Sequence, residues 1–113
     1  QFNNPIFEFQ GIQFMISDLA TEIEASRLLV EKAAKLYDQN SFSSKIASMA
    51  KLKATDTAMK VTTDAVQILG GVGYTTEYPV ERLMRDAKVL QIVEGTNQIQ
   101  KVIISKNIKN EYS

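Results

Sequence analysis

Glu94 is the side chain in this sequence whose position matters most for acid–base chemistry. It lies in a run that joins an apolar pair to an apolar, helix-forming tail, Ile92-Val93-Glu94-Gly95-Thr96-Asn97-Gln98-Ile99-Gln100. The chain contains no His and no Cys, so proton transfer must use a carboxylate, a lysine or a tyrosine. The position of this one carboxylate therefore carries more weight than it would in a chain with histidines.

The composition limits the classes of function. Thirteen basic and 13 acidic side chains give a formal net charge of zero, so electrostatics favour neither nucleic acid nor an anionic membrane surface. The lack of Cys and His argues against disulfides, thiolate catalysis and a metal site. No apolar run approaches the roughly 20 residues that a membrane span needs. The 113 residues fit one domain with a modest core, and without an initial Met we expect an excised fragment or a processed product.

A long first helix is predicted from Phe7 to Tyr37. Its apolar residues step by three and four, which indicates one buried face. That predicted face consists of Ile12, Ile16, Leu19, Ile23, Ser26, Val30, Ala33 and Tyr37. Residues 38–41 form a turn by composition, and Ser41 or Ser43 is the expected N-cap of a second helix.

The second helix carries two apolar stripes, which predicts packing on two sides. The stripe of small residues is Ala47, Ala50, Ala54, Ala58, Val61, Ala65 and Ile68, and the larger one is Met49, Leu52, Met59, Val66 and Leu69. Gly70-Gly71 ends this helix, Pro79 opens a short third one, and a final helix begins near Gly95-Thr96, with residues 110–113 frayed. We therefore predict an all-α fold, an antiparallel four-helix bundle spanning residues 1–113.

Two glycine-marked segments carry a family resemblance. They are Gln67-Ile68-Leu69-Gly70-Gly71-Val72-Gly73-Tyr74, followed by Glu77, Arg82 and Asp86, and Glu94-Gly95-Thr96-Asn97-Gln98-Ile99-Gln100. With these motifs in this order and spacing, the whole chain resembles the C-terminal helical domain of the acyl-CoA dehydrogenases, in the short- and medium-chain branch. The resemblance implies that the N-terminal helical domain and the central β domain of the family are absent from residues 1–113, and that this piece alone is inactive.

The resemblance implies that Glu94 is a catalytic base. Members of the family oxidise an acyl-CoA to the trans-2-enoyl-CoA: a base removes the α-proton while a hydride passes from the β-carbon to FAD. A carboxylate in apolar surroundings suits that role near neutral pH, and Ile92 and Val93 are expected to supply them. The backbone N–H of Glu94 is expected to polarise the thioester carbonyl, and Gly95 to let the backbone pass close to the substrate.

The resemblance also implies a set of FAD contacts. Thr96 and Gln98 are expected to touch FAD beside a helix start, where backbone N–H groups favour phosphate oxygens. Four further residues are expected to contact FAD that is bound mainly by a neighbouring subunit: Gln10, Gln67, Gly70 and Gly71. No metal is expected.

The implied partners follow from the same resemblance. They are the acyl-CoA substrate, an electron-transfer flavoprotein that takes the electrons from FAD, and further copies in a homotetramer or a dimer. The expected compartment is the cytoplasm in a bacterium or the mitochondrial matrix in a eukaryote. Val93 replaces a Tyr that is frequent in the family, which leaves the acyl chain length open.

The same residues could also have purely structural roles. Without the resemblance, Glu94 is an ordinary carboxylate favoured by a helix dipole, Thr96 is an N-cap, and Gly70-Gly71 is a helix C-cap. Two rival functions stay open. One is a non-catalytic helical assembly domain, favoured by the two-faced second helix, and the other is a fragment of an acyl-CoA oxidase, which passes electrons to oxygen.

Overall fold

The computed structural model describes residues 2–113, and this part of the chain is helical without strands. Its helices are α1 (Gln10–Asp38), α2 (Ser44–Leu69), α3 (Val80–Leu90) and α4 (Asn97–Glu111), with 3-10 turns at Ile6–Glu8 and Gly70–Tyr74. The predicted all-α four-helix architecture is confirmed. Within residues 2–113, no helix combines the length and the hydropathy that crossing a bilayer requires.

The second helix is the axis of the fold. Within the described residues, α1, α3 and α4 each pack on α2 and none of them packs on another. The predicted two-sided packing of α2 is therefore confirmed. Because one helix serves three neighbours, the molecule is elongated, with extents of 60 × 26 × 25 Å, and many large apolar side chains stay exposed.

Both ends of α2 follow from local sequence. The Ser43 side chain accepts a hydrogen bond from the backbone N–H of Ile46 at 3.2 Å, as an N-cap does. Gly70 ends the helix with a φ of +68°, a conformation that glycine adopts without steric cost. Gly73 packs so closely that a Cβ there would lie 2.7 Å from the Leu69 Cβ and 2.9 Å from the Val66 carbonyl oxygen. The turn after α2 therefore needs glycine at two positions for two different reasons.

The buried face of α1 matches only part of the predicted one. Five of the predicted residues are buried or half-buried: Ile12, Ile16, Leu19, Ser26 and Ala33. Ile23, Val30 and Tyr37 are predicted on this face but are exposed, so that part of the prediction is wrong. The face continues instead through Glu22, Leu29 and Leu36, one position earlier in each case, which is the heptad spacing of two helices packed side by side.

Glu22 is the physical reason for this difference. A carboxylate in the contact row interrupts the apolar pattern, so the neighbouring Ile23 fits the pattern better than the residue that packs. Glu22 forms an ion pair with Lys53 of α2, which offsets the cost of its partial burial. One turn further, the buried Ser26 hydroxyl donates to the Thr57 hydroxyl of α2 at 2.9 Å. The contact between α1 and α2 is thus partly polar.

The C-terminal end of α4 is more ordered than predicted. The helix continues to Glu111, whereas fraying is predicted from residue 110. The Glu111 carboxylate forms an ion pair with Lys45 in the first turn of α2. This contact ties the last turn of α4 to the central helix.

Candidate functional site

Glu94 lies in the connection between α3 and α4, which spans residues 91–96. Glu94 has a φ of +55° and Gly95 a φ of +86°, so two consecutive residues adopt the left-handed conformation. This conformation costs a residue with a Cβ roughly 1–2 kcal/mol. Such a backbone persists only where the surrounding structure holds it.

Two side chains hold this loop by its carbonyl oxygens. The Lys51 ammonium of α2 donates to the Gly95 carbonyl oxygen at 2.9 Å. The buried Gln100 amide of α4 donates to the carbonyl oxygens of Glu94 and Gly95, both at 3.3 Å. The carbonyl oxygens of both strained residues are therefore bound by side chains of α2 and α4.

A second layer of hydrogen bonds fixes these groups in turn. Lys51 also donates to the Asn97 side-chain oxygen at 2.7 Å, and the Asn97 amide nitrogen donates to the Asp56 carboxylate at 2.7 Å. Gln91 donates to the same carboxylate at 2.8 Å, and its backbone oxygen accepts from the Asn97 backbone N–H at 3.0 Å. Residues at both ends of the loop are thus connected to α2.

Thr96 closes the loop as the N-cap of α4. Its hydroxyl accepts a hydrogen bond from the Ile99 backbone N–H at 3.3 Å, so the structure confirms the predicted helix start. Gln98 lies in the first turn of this helix with an exposed side chain. Together with the loop, these residues form the Glu94 patch, which comprises Glu94, Gly95, Thr96 and Gln98.

The described residues of this chain do not enclose Glu94 in the expected apolar surroundings. Glu94 is exposed, and Ile92 and Val93 are 54% and 41% exposed. The apolar neighbours are adjacent in sequence, yet within residues 2–113 no other element covers them. An enclosed site here requires protein from outside the described residues.

The remaining predicted contacts form a separate patch, the Gly70 patch. Its members are Gln10, Gln67, Gly70 and Gly71, all exposed. Gln10 begins α1 and Gln67 lies near the end of α2, and these two ends are close because the short connection 39–43 makes the helices antiparallel. A Cβ added at Gly70 or Gly71 would meet no atom within 4 Å, so the backbone of this turn is open to close approach.

The two patches lie far apart on the molecule. Lys51, which contacts the Glu94 loop, precedes Gln67 on the same straight helix by about 24 Å at roughly 1.5 Å per residue. The structure therefore brings the predicted site residues together as two groups and does not join the groups into one cavity.

Sequence reasoning missed the groups that hold the loop. These are Lys51, Asp56, Gln91, Asn97 and Gln100. One signal was available, because Asn97 and Gln100 lie inside the motif that contains Glu94. Lys51 also lies beside the small-residue stripe of α2, where its long side chain has room to reach a neighbouring element.

A sequence model of the acyl-CoA dehydrogenase C-terminal domain matches residues 1–109. The chain belongs to this family. The family is flavin-dependent, and the matched region includes both glycine-marked segments and all the residues of both patches.

Three proteins illustrate the similarity to other members. A cyclohexane-1-carbonyl-CoA dehydrogenase of Geobacter metallireducens is 54% identical over 110 residues, which is 97% of this chain and 29% of that protein. The butyryl-CoA dehydrogenase structure from Megasphaera elsdenii superimposes with a TM-score of 0.93 at 48% identity, covering 96% of this chain and 28% of that one. An FAD complex of PigA superimposes with a TM-score of 0.91 at 30% identity, with the same two coverages. The chain thus spans less than a third of the relatives it matches.

Proposed function

We propose that residues 1–113 are the C-terminal helical domain of a longer flavin-dependent acyl-CoA dehydrogenase, in which Glu94 is the catalytic base. The parent oxidises a short- or medium-chain acyl-CoA to the trans-2-enoyl-CoA. The observation that carries this proposal is the Glu94 loop, a strained backbone whose carbonyl oxygens are bound by Lys51 of α2 and Gln100 of α4, in a chain of this family.

Glu94 removes the α-proton of the thioester in this mechanism. A thioester α-proton is weakly acidic, so the base must be close and the developing enolate must be stabilised. The exposed carboxylate of Glu94 is free to meet a substrate. Among residues 2–113, the backbone N–H of Glu94 donates to no acceptor, so it is available for the thioester carbonyl oxygen.

The residues of the Glu94 patch fit FAD. Thr96 and Gln98 offer a hydroxyl and an amide at the start of α4, and neutral donors beside a helix N-terminus suit phosphate and ribityl oxygens. FAD, when bound, supplies the acceptor for the hydride that leaves the β-carbon. The task of this chain is to hold the carboxylate and these donors in place.

The Gly70 patch would contact a different FAD molecule, one bound mainly by a neighbouring subunit. The rise of about 24 Å along α2 between Lys51, which contacts the Glu94 loop, and Gln67 supports this division. The open backbone at Gly70 and Gly71 supports close approach by a large planar or extended ligand. A homo-oligomer, a tetramer or a dimer, follows from this arrangement, and the many exposed apolar side chains are consistent with subunit contacts.

The substrate class and the electron acceptor complete the proposal. The similar proteins act on a cyclohexane-1-carbonyl thioester and a butyryl thioester, which supports an acyl group of short or medium length for the parent. An electron-transfer flavoprotein is the proposed partner that would take electrons from bound FAD.

Replacing Glu94 by Gln in the intact parent tests the function. The change keeps size and hydrogen bonding but removes the base, so we expect turnover of butyryl-CoA or octanoyl-CoA to fall by about 10²–10⁴-fold. FAD content and melting temperature should stay unchanged. Turnover within a few-fold of the unaltered protein would show that Glu94 is not the base.

A second candidate is a non-catalytic assembly domain, favoured by the number of exposed apolar side chains on a chain with few buried ones. The two functions differ in what the 113-residue chain does in the presence of FAD and an acyl-CoA. Defined self-association by light scattering favours assembly if the intact parent also lacks acyl-CoA oxidation. Oxidation by the parent with electron transfer to oxygen alone would instead identify an acyl-CoA oxidase.

A further inference from the structure

We propose that Lys51 of α2 is a positioning residue for the reaction, which orients the Gly95–Thr96 peptide group so that its N–H faces the substrate side of the Glu94 loop. The inference rests on the proposed function of Glu94 and adds a residue from a different helix. Lys51 itself contacts neither the reacting atoms nor the Glu94 carboxylate in this structure.

The orientation follows from which oxygens are bound. Gln100 donates to the Glu94 carbonyl oxygen, and Lys51 and Gln100 both donate to the Gly95 carbonyl oxygen. In a trans peptide the C=O and the following N–H point in opposite directions. The Gly95 N–H therefore points away from the Gln100 amide of α4, and the Thr96 N–H points away from the Lys51 ammonium of α2.

The amide groups on the opposite side have no partner within the described chain. Among residues 2–113, the backbone N–H groups of Glu94, Gly95 and Thr96 donate to no protein acceptor. The N–H groups of Gly95 and Thr96 lie opposite bound carbonyl oxygens, which makes the loop polar in one direction. Donors fixed before the reaction begins are the arrangement that stabilises developing negative charge most effectively.

The positive charge of Lys51 also strengthens its hydrogen bond to the loop, in addition to positioning the peptide group. Its ammonium forms no ion pair within residues 2–113, and its acceptors are the Gly95 carbonyl and the Asn97 amide oxygen. A hydrogen bond from a charged donor is stronger than a neutral one. Polarisation through the Gly95–Thr96 peptide then makes the Thr96 N–H a better donor.

The nearby Lys53 provides a matched control. It lies on the same helix, two residues away, and pairs with Glu22 of α1 rather than with the loop. Lys53→Met therefore removes one ammonium and one inter-helix contact from α2, as Lys51→Met does, without touching Glu94, Gly95 or Asn97. The two variants should lose similar thermal stability and differ in catalysis.

The experiment compares Lys51→Met, Lys51→Arg and Lys53→Met in the intact, FAD-loaded parent. Two rates are measured: turnover of butyryl-CoA, and exchange of the α-proton with deuterated solvent for an acyl-CoA that lacks β-hydrogens, which reports proton removal alone. We expect Lys51→Met to lower kcat and the exchange rate about 100-fold, the scale of a small misplacement of reacting groups, with KM within a few-fold. Lys51→Arg should recover at least part of the loss, and Lys53→Met should stay within about twofold.

The outcomes separate this inference from the proposed function. If the unaltered parent neither turns over the substrate nor exchanges its α-proton, the assignment of Glu94 fails first. If the parent is active but Lys51→Met matches Lys53→Met in both rates, the role of Lys51 is overturned while that of Glu94 stands. Should Lys51→Met not load FAD, Lys51→Gln and Lys53→Gln replace the pair; a difference of about tenfold supports the role, and equal rates overturn it.

Discussion

The two glycine-marked segments are held in their conformations in different ways. The Gly70–Tyr74 turn is a continuation of α2: the Gly70 backbone N–H bonds to the carbonyl oxygens of Val66 and Gln67, and Gly73 packs against the same helix. The Glu94 loop is held by side chains from two other elements, Lys51 and Gln100. The first is a local helix ending, whereas the second is a conformation that the tertiary structure imposes.

This difference indicates where function is expected. Glycine with a positive φ at a helix end is common and costs little, because glycine has no Cβ. A non-glycine residue in that conformation, supported by buried polar groups, is uncommon and costs stability. This is why we propose the reactive site at the Glu94 loop, whereas the Gly70 turn offers an open backbone surface.

Among the substitutions that test this difference, Gly95→Ala should have the largest effect on stability and turnover. A Cβ there would be strained at φ +86° and would lie 2.8 Å from the Gln100 amide nitrogen, so Gln100 must move and release the loop. We expect a loss of about 1–3 kcal/mol of unfolding free energy and about 100-fold of turnover. Melting and steady-state kinetics of the intact parent measure both.

Gly11→Ala is the control for this change. Gly11 lies in α1 with open space around its Cβ position, so alanine should leave the unfolding free energy equal or higher by up to about 1 kcal/mol. If Gly95→Ala behaves like Gly11→Ala, the loop is not constrained as described.

Thr96→Ala should have an intermediate effect that sharpens the distinction between capping and cofactor binding. Thr96 and Ser43 are both N-caps that accept one backbone hydrogen bond, so alanine at either position should cost about 1 kcal/mol. Only Thr96→Ala should also weaken FAD retention, measured as flavin absorbance after dialysis. Equal flavin retention by the Thr96→Ala and Ser43→Ala variants would show that Thr96 caps the helix and does not contribute to FAD binding.

Glu81→Gln should have the smallest effect, because it tests a surface contact of α3 away from the loop. A hydrogen bond from Arg85 lowers the pKa of Glu81 below its ordinary value of 4.5. A lowered pKa in the folded state stabilises the protein above about pH 4.5, and this stabilisation is lost as the pH falls through the folded pKa.

The measurement is melting temperature against pH for Glu81→Gln and for Glu77→Gln. Glu77 forms no ion pair in the described part of the chain. Glu81→Gln should lower the melting temperature slightly at pH 7, and the deficit relative to Glu77→Gln should disappear toward pH 3. A deficit that persists unchanged at pH 3 contradicts the assigned ion pair.

The sequence predicted the features that depend on local rules. The Ser43 cap, the Gly70 helix ending and the Thr96 cap each follow from a side chain or a glycine acting on its own neighbours. The packed face of α1 was predicted only in part, because the ion pair of Glu22 with Lys53 joins two helices and leaves no periodic signal.

The candidate site was also predicted only in part, because it depends on contacts between elements that are distant in sequence. The motif contains Glu94 and two of the groups that hold its loop, Asn97 and Gln100, but the other groups lie elsewhere in the chain. Lys51 and Asp56 are separated from the loop by some 40 residues of chain, and no local pattern predicts that they meet it. The left-handed conformation of Glu94 is likewise a consequence of tertiary contacts and not of residue type.

The most direct test of the central claim is a structure of the intact parent with FAD and an unreactive acyl-CoA analogue bound. We expect a carboxylate oxygen of Glu94 to lie within about 3.5 Å of the thioester α-carbon. A Glu94 carboxylate directed into bulk solvent, away from both thioester and flavin, would contradict this claim.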